Sequence, residues 1–186
     1  IDTIISIYHA VCRNIPLIRR IVTVTGDGAC NSQNFEVPIG MNYREVLEQA
    51  GGCKEETVKI VSGGPMMGMA LFDINVPVMK SSSALLCLTK DEVAEQEPSA
   101  CIRCGRCADV CPMLLDPSDF ANALTLENKD DKMEMLASGK VSLCIECGAC
   151  AYVCPANRPL LQINWAAKSF LKQYAAAQKE KEGGNR

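Results

Sequence analysis

Apolar positions recur along this chain with two different periods, and the change from one to the other divides it. Ile1, Ile4, Ile5, Tyr8, Val11 and Cys12 fall at the spacing of one helix face. Pro16 ends that pattern, because a ring in place of an amide proton cannot continue a helical ladder. Residues 1–17 are therefore expected to form a helix or connector that packs on another part of the molecule, upstream of the sequence shown. Alternation then takes over. Ile21-Val22-Thr23-Val24-Thr25 is rich in β-branched residues and stops at the turn signal Gly26-Asp27-Gly28. Phe35-Glu36-Val37-Pro38-Ile39 predicts a second strand, with Pro38 at a sheet edge or strand end because it has no proton to donate. Asn42 is placed to cap a helix through Ala50, with Glu45 at the capping-box position and Gly51-Gly52 as the stop. Thr57–Val61 predicts a third strand running into the turn Ser62-Gly63-Gly64-Pro65, and Ser83–Leu88 predicts another.

From Cys101 onward the two-residue period disappears. Asp116–Glu127, Asp130–Ser138 and Pro159–Ala177 carry helical spacing with polar outer faces. The expected fold class is α+β. A small β-grasp-like unit spans residues 18–96 and ends in a polar joint at Glu95–Pro98. An all-helical unit follows over residues 97–176, and the charged, glycine-rich residues 177–186 are expected to fray.

Composition narrows the function. The chain has 186 residues, 48% hydrophobic and 22% charged, which excludes wholesale disorder. A formal net charge of −3 argues against a nucleic-acid partner, which calls for a basic face. The longest apolar runs, such as Ala84–Leu88, fall far short of a membrane span, so no transmembrane segment is expected. Ile1 stands where an initiator methionine belongs and no signal peptide follows, so the chain reads as a piece of something longer.

Cysteine placement carries the chemistry. Of twelve cysteines, four (Cys12, Cys30, Cys53 and Cys87) are scattered, and eight form two tight runs. Cys101-x-x-Cys104-x-x-Cys107-x-x-x-Cys111-Pro112 is followed by Cys144-x-x-Cys147-x-x-Cys150-x-x-x-Cys154-Pro155. Disulfides fit poorly, because thiols three residues apart close strained loops, and a reducing compartment is expected. Structural zinc prefers paired C-x-x-C knuckles to an unbroken run of four ending in proline. The pattern matches, twice, the iron–sulfur motif in which three close cysteines hold one cluster and the fourth ligates the other. Two [4Fe-4S] clusters are therefore expected. Cys101, Cys104, Cys107 and Cys154 hold the first, and Cys144, Cys147, Cys150 and Cys111 hold the second. Gly105 and Gly148 let backbone amides approach the sulfides, and Pro112 and Pro155 stop local helix. Ile102, Ile145, Val110 and Val153 are expected to exclude water, while Arg103 and Arg106 offset cluster charge. The segment Pro112–Leu143 between the runs looks helical, unlike the short β-rich joint of compact ferredoxins.

Other features are expected to carry no chemistry. Ser62–Gly68 lacks the lysine of a phosphate loop, and Met66 and Met67 are expected to pack into a core or interface. The four scattered cysteines are expected to be small apolar fillers, and Trp165 to pack the last helix. His9 is expected on a helix surface. The lysine series Lys168, Lys172, Lys179 and Lys181 is expected to be solvated. No catalytic acid–base or nucleophile constellation stands out.

Taken in order, these parts resemble a known family. IVTVTG at Ile21–Gly26 and KIVSGGPMMG at Lys59–Gly68 resemble the soluble-ligand-binding β-grasp (SLBB) region of the C subunit of the Rnf electron-transport complex. CIRCGRCADVCPM at Cys101–Met113 and CIECGACAYVCP at Cys144–Pro155 are similar to that protein's cluster module. The resemblance covers about residues 15–170. It implies an ion-translocating oxidoreductase coupling electron flow between ferredoxin and NAD⁺ to sodium or proton movement. It further implies partners among the other subunits and ferredoxin-type carriers, and a peripheral site on the cytoplasmic membrane face. FMN and NAD(H) sites are implied only in the missing upstream part. Two alternatives stay open: a cobalamin reductase of similar layout, and an assembly module whose clusters staple helices and carry no current.

Overall fold

The protein's structure, a computed structural model, describes residues 1–93 and 97–183, with side chains through residue 178. Glu95 and Gln96 of the expected joint, and residues 184–186 of the expected frayed tail, lie outside the described residues. The chain divides into two compact units, Ile1–Ala94 and Glu95–Arg186.

The first unit opens with helix α1, Asp2–Arg13, closed by Asn14 in the left-handed conformation. None of its residues is buried, so its apolar face finds no cover in the described structure. Strands β1 (Arg19–Thr25), β2 (Gln33–Pro38), β3 (Thr57–Ser62), β4 (Met69–Ala70) and β5 (Ala84–Thr89) follow, with helix α2 (Tyr43–Gln49) between β2 and β3. The sheet order is β2-β1-β5-β3-β4. Its central pair, β1 and β5, is parallel, and every other pairing is antiparallel. This is a β-grasp arrangement, with the sheet wrapped on α2. Pro38 closes β2 at the sheet edge, where its missing proton costs no ladder bond. The Asn42 side chain caps α2 by accepting from the Arg44 amide at 2.9 Å. The core gathers Val22, Val24, Val37, Tyr43, Val46, Leu47, Leu85 and Cys87. At its edge the Tyr43 hydroxyl lies 2.6 Å from Ser82 Oγ and 2.9 Å from Ser62 Oγ, which satisfies a buried phenol.

Strand β4 had no sequence signal, because two residues are too few to alternate. Met66, Met67 and Met69 around it are exposed, so of the core or interface packing expected for the two turn methionines, packing into the core does not occur within the described unit.

The second unit is helical. Short helices α3 (Arg106–Asp109) and α6 (Ala149–Tyr152) carry the third cysteine of each run, Cys107 and Cys150. Helices α4 (Pro117–Thr125) and α5 (Lys129–Ser138) lie between the runs, and α7 (Leu160–Gly183) follows them. Asp116 and Asn128 cap α4 and α5 by accepting from the amides two residues on, both at 2.9 Å. Pro117 takes the first turn of α4, where no partner is needed for a proline nitrogen. The long helix runs on to Gly183, past the Ala177 limit expected from its polar composition. One core joins Leu115, Phe120, Ala123, Leu136, Val141 and Ala167, with Cys111 and Cys144 packed against it. A second joins Ala121, Cys150 and Leu160, with Cys107 and Cys154 against it.

Candidate iron–sulfur site

Both cysteine runs fold by the same local rules. Arg103 and Glu146, each the second residue after a run's first cysteine, have φ of 56° and 59°. Gly105 and Gly148 have φ of 78° and 79° and start α3 and α6. A Cβ on Gly105 would meet nothing, so it is the left-handed backbone that selects glycine there, and not lack of space. These turns aim amides at sulfur. The Arg103 amide donates to Cys101 Sγ at 3.4 Å, and the Glu146 amide donates to Cys144 Sγ at 3.4 Å.

The eight cysteines line two separate pockets. Cys101, Cys104, Cys107 and Cys154 surround the first. Cys111, Cys144, Cys147 and Cys150 surround the second. Each pocket thus takes three cysteines from one run and the last cysteine of the other. Among the described residues, no three Cys, His, Asp or Glu side chains converge as a single metal ion would require. Four sulfurs spaced around a cavity, with otherwise mostly apolar walls, fit a polynuclear iron–sulfur body better than one zinc ion.

The two pockets differ in setting. Arg103, Arg106 and Arg158 line the first, beside exposed Cys101 and Cys104. The second lies deeper. Cys150 is buried there, and burial pushes its thiol up to about 11, while burial also raises Cys107 at the first pocket. A metal that takes these sulfurs as thiolates must displace those protons. Ile102 and Ile145 do line the pockets, but they are 66% and 53% exposed, so they do not seal the pockets from water as expected.

Helix α7 supplies two residues that the sequence reading missed. Asn164 is 2% exposed, and its Nδ2 donates toward Cys144 Sγ at 3.6 Å and Cys150 Sγ at 3.9 Å. Its Oδ1 is buried without a partner. Lys168 is not the solvated lysine expected. Its Nζ donates to the Cys144 carbonyl at 3.0 Å and pairs with the Glu146 carboxylate. The available signal was an asparagine on the buried stripe Leu160, Leu161, Asn164, Ala167, one turn before Lys168. Trp165 is half-buried, and its indole nitrogen finds no partner. Among the scattered thiols, Cys12 and Cys30 are exposed and so are not apolar fillers. His9 is half-buried, with Nδ1 enclosed and unpartnered, and not a simple surface residue.

Comparison with known proteins agrees with this geometry. Residues 97–158 match the 4Fe-4S dicluster domain, and residues 21–70 match the SLBB domain. The C subunit of the proton-translocating ferredoxin:NAD(+) oxidoreductase complex of Clostridium ljungdahlii is 48% identical over 118 residues, covering 63% of this chain and 26% of that protein. The Na(+)-translocating counterpart of Acetobacterium woodii is 42% identical over 134 residues, covering 72% and 30%. The C subunit of the ion-translocating oxidoreductase complex of Rhodobacter capsulatus is 41% identical over 120 residues, covering 64% and 23%. The chain thus spans less than a third of the length of the relatives it matches. It is a homologue of the C subunit of Rnf-type oxidoreductase complexes, corresponding to the part that joins an SLBB domain to a 4Fe-4S dicluster domain.

Proposed function

We propose that this chain binds two [4Fe-4S] clusters with crossed ligation and passes single electrons between them, as part of an ion-translocating ferredoxin:NAD(+) oxidoreductase complex. Cys101, Cys104, Cys107 and Cys154 hold the first cluster, and Cys144, Cys147, Cys150 and Cys111 the second. The observation that carries this is the composition of the two pockets, each completed by the last cysteine of the opposite run. Bound clusters supply one-electron exchange, and the residues arrange it. Cys107 and Cys154 pack on the same small core as Cys150, which keeps the two sites neighbours. Amides of Arg103 and Glu146 and the Asn164 side chain donate toward ligand sulfurs, stabilising added negative charge. The arginines of the first pocket oppose the charge of its thiolates.

Within the wider assignment, ferredoxin and NAD(+) follow from the relatives, whereas FMN, the upstream nucleotide sites and the membrane face are what the family resemblance implies. FMN and NAD(H) sites are placed in an upstream part of the whole protein. The partners are the complex's other subunits and ferredoxin-type carriers. No described helix is long and apolar enough to cross a membrane, and we place the chain peripherally on the cytoplasmic membrane face, held there by those subunits.

The test is an anaerobic preparation with iron and sulfide counted, followed by EPR after dithionite reduction. About eight irons and eight sulfides per chain are expected, with magnetic coupling between neighbouring clusters. Cys154→Ser should disturb the first cluster's signal, and Cys111→Ser the second's. A colourless sample holding only zinc overturns the proposal, as does a Cys154→Ser variant that loses only the second cluster.

A further inference from the structure

Three cysteines lie together in the β-grasp unit, outside both iron–sulfur pockets. Cys87, on β5, is fully buried. Cys53, between α2 and β3, is half-buried, and its Sγ lies 3.5 Å from the Cys87 Sγ. Cys30 is exposed. Its amide donates to the Gly52 carbonyl at 3.2 Å, and the preceding Ala29 pairs antiparallel with Cys53. Gly28 ties the three together, donating to the Cys87 carbonyl at 3.0 Å and accepting from the Lys54 amide at 2.8 Å. One backbone framework therefore holds the three residues close in the fold, with exposure graded from Cys30 at the surface through half-buried Cys53 to buried Cys87. The spacing of Cys53 and Cys87 is van der Waals contact between sulfurs, and about 1.5 Å of approach converts contact into a bond of about 2.05 Å. Cys53 belongs to a loop, so its side chain can supply that movement.

We propose that Cys30, Cys53 and Cys87 form a thiol–disulfide site that takes a low-molecular-weight disulfide at Cys30 and passes the oxidation inward to a Cys53–Cys87 bond. The Cys30 thiolate attacks one sulfur of the small disulfide, forming a mixed disulfide and releasing one small thiol. The Cys53 thiolate attacks the Cys30 sulfur, forming Cys30–Cys53 and releasing the second small thiol. Cys87 then attacks the Cys53 sulfur, and its proton goes to the departing Cys30 thiolate. In sum, the small disulfide gains two electrons and two protons as two thiols, and Cys53 and Cys87 lose them as one disulfide. The order follows exposure, because the attacking group must be a thiolate that the oxidant can reach. Burial pushes the Cys87 thiol up to about 12, with Cys53 beside it adding to the effect, so Cys87 is the last to react and never the entry point. The bond closes a loop between positions 34 apart and fastens the segment after α2 to the central strand.

The experiment uses the cluster-bearing chain, incubated anaerobically with oxidised glutathione, acid-quenched, alkylated and peptide-mapped by mass spectrometry, with cluster absorbance followed in parallel. Expected are linked Cys53 and Cys87 peptides lighter by two hydrogens, Cys30 recovered as a free thiol, and full reversal by dithiothreitol. Cys30→Ser should slow linkage about tenfold without changing its end point. Cys87→Ala should accumulate a Cys30–Cys53 bond. Cys53 and Cys87 recovered as alkylated thiols while Cys30 stays glutathionylated overturn the proposal in the unmodified chain, whether or not any variant folds. A Cys30→Ser variant that links at the normal rate overturns the entry role. Neither outcome depends on the electron-transfer reading.

Discussion

A buried asparagine with an orphaned oxygen is costly, on the order of 1–3 kcal/mol. Asn164 is held in that state, and the geometry says why: its amide donates toward two sulfurs of the second pocket. A donor on a ligand sulfur favours the reduced, more negative cluster. Asn164→Leu, similar in volume, is therefore expected to lower the second cluster's reduction potential by on the order of 50 mV, leaving the first unchanged. The same variant should leave the cluster-free chain as stable as before or more so, since a packed leucine needs no partner. Potentiometric EPR and denaturant melts check the two halves, and a structural role alone would move only the second. Cys87 makes a different case. An unfolded cysteine ionises near pH 8.5, whereas this one keeps its proton to about 12, first because it is buried and then because Cys53 adjoins it. Between about pH 9 and 12 the unfolded chain alone gives up the proton, so this thiol's contribution is whole below that window and drains away as pH rises. The slope is at most about 1.4 kcal/mol per pH unit. Hydrogen exchange of β5 amides, compared between the parent chain and Cys87→Ala under reductant, should show that slope only in the parent. At this scale the sequence was half legible. The cysteines that gather in the two pockets announce themselves by spacing, but Asn164 and Lys168 reach Cys144 through a tertiary approach of α7 that no local pattern encodes.

Elements were legible where a cap or breaker agreed with the period. Asn42 before α2, Pro38 at the end of β2 and Pro117 opening α4 each sit where their backbone chemistry requires. The two short helices α3 and α6 were hidden, because four residues make one turn and carry no period. The full extent of α7 was hidden for the opposite reason: beyond Tyr174, residues 175–178 are all exposed, so no apolar stripe carried the helical period onward. The turn after β1 shows how tightly one element constrains another. Gly26 has φ of 104°, and a Cβ there would fall 2.1 Å from the Cys87 carbonyl oxygen. Gly26→Ala therefore meets forbidden backbone and a clash with the central strand together, and should cost on the order of 3 kcal/mol or more. Gly40, with φ of 95° and open space, serves as the control: Gly40→Ala carries the backbone penalty alone. Thermal melts of the two variants should separate clearly, with Gly26→Ala the lower. Equal melting points would mean that β1 and β5 shift to relieve the contact.

At the scale of the molecule, the two units are held by different physics, and this sets their fates when iron is removed. The β-grasp unit owns a continuous apolar core beneath a five-stranded sheet, gathered from its own strands and α2. In the helical unit, cores run directly into the proposed ligands: Cys111 and Cys144 pack on one, Cys107, Cys150 and Cys154 on the other. Without clusters, the two pockets, lined from α4 by Ser118 in one and Phe120 in the other, lose their filling, and short α3 and α6 lose what fixes them, since helices of that length do not persist alone. Binding of a ligand that only the folded form can hold adds its binding free energy to that form's stability. Chelating the iron under reducing, anaerobic conditions should therefore release amide protection in α3, α6 and the Cys144–Gly148 turn by at least about tenfold. β1, β5 and α2 should keep theirs. The contrast also explains what the sequence could and could not tell. A change of period marks where one unit gives way to the next, but only the folded chain places Cys154 in the pocket of the first run and Cys111 in the pocket of the second. If exchange rose equally in both units on chelation, the β-grasp core would depend on the metal sites. The separation drawn from the two cores would then be wrong.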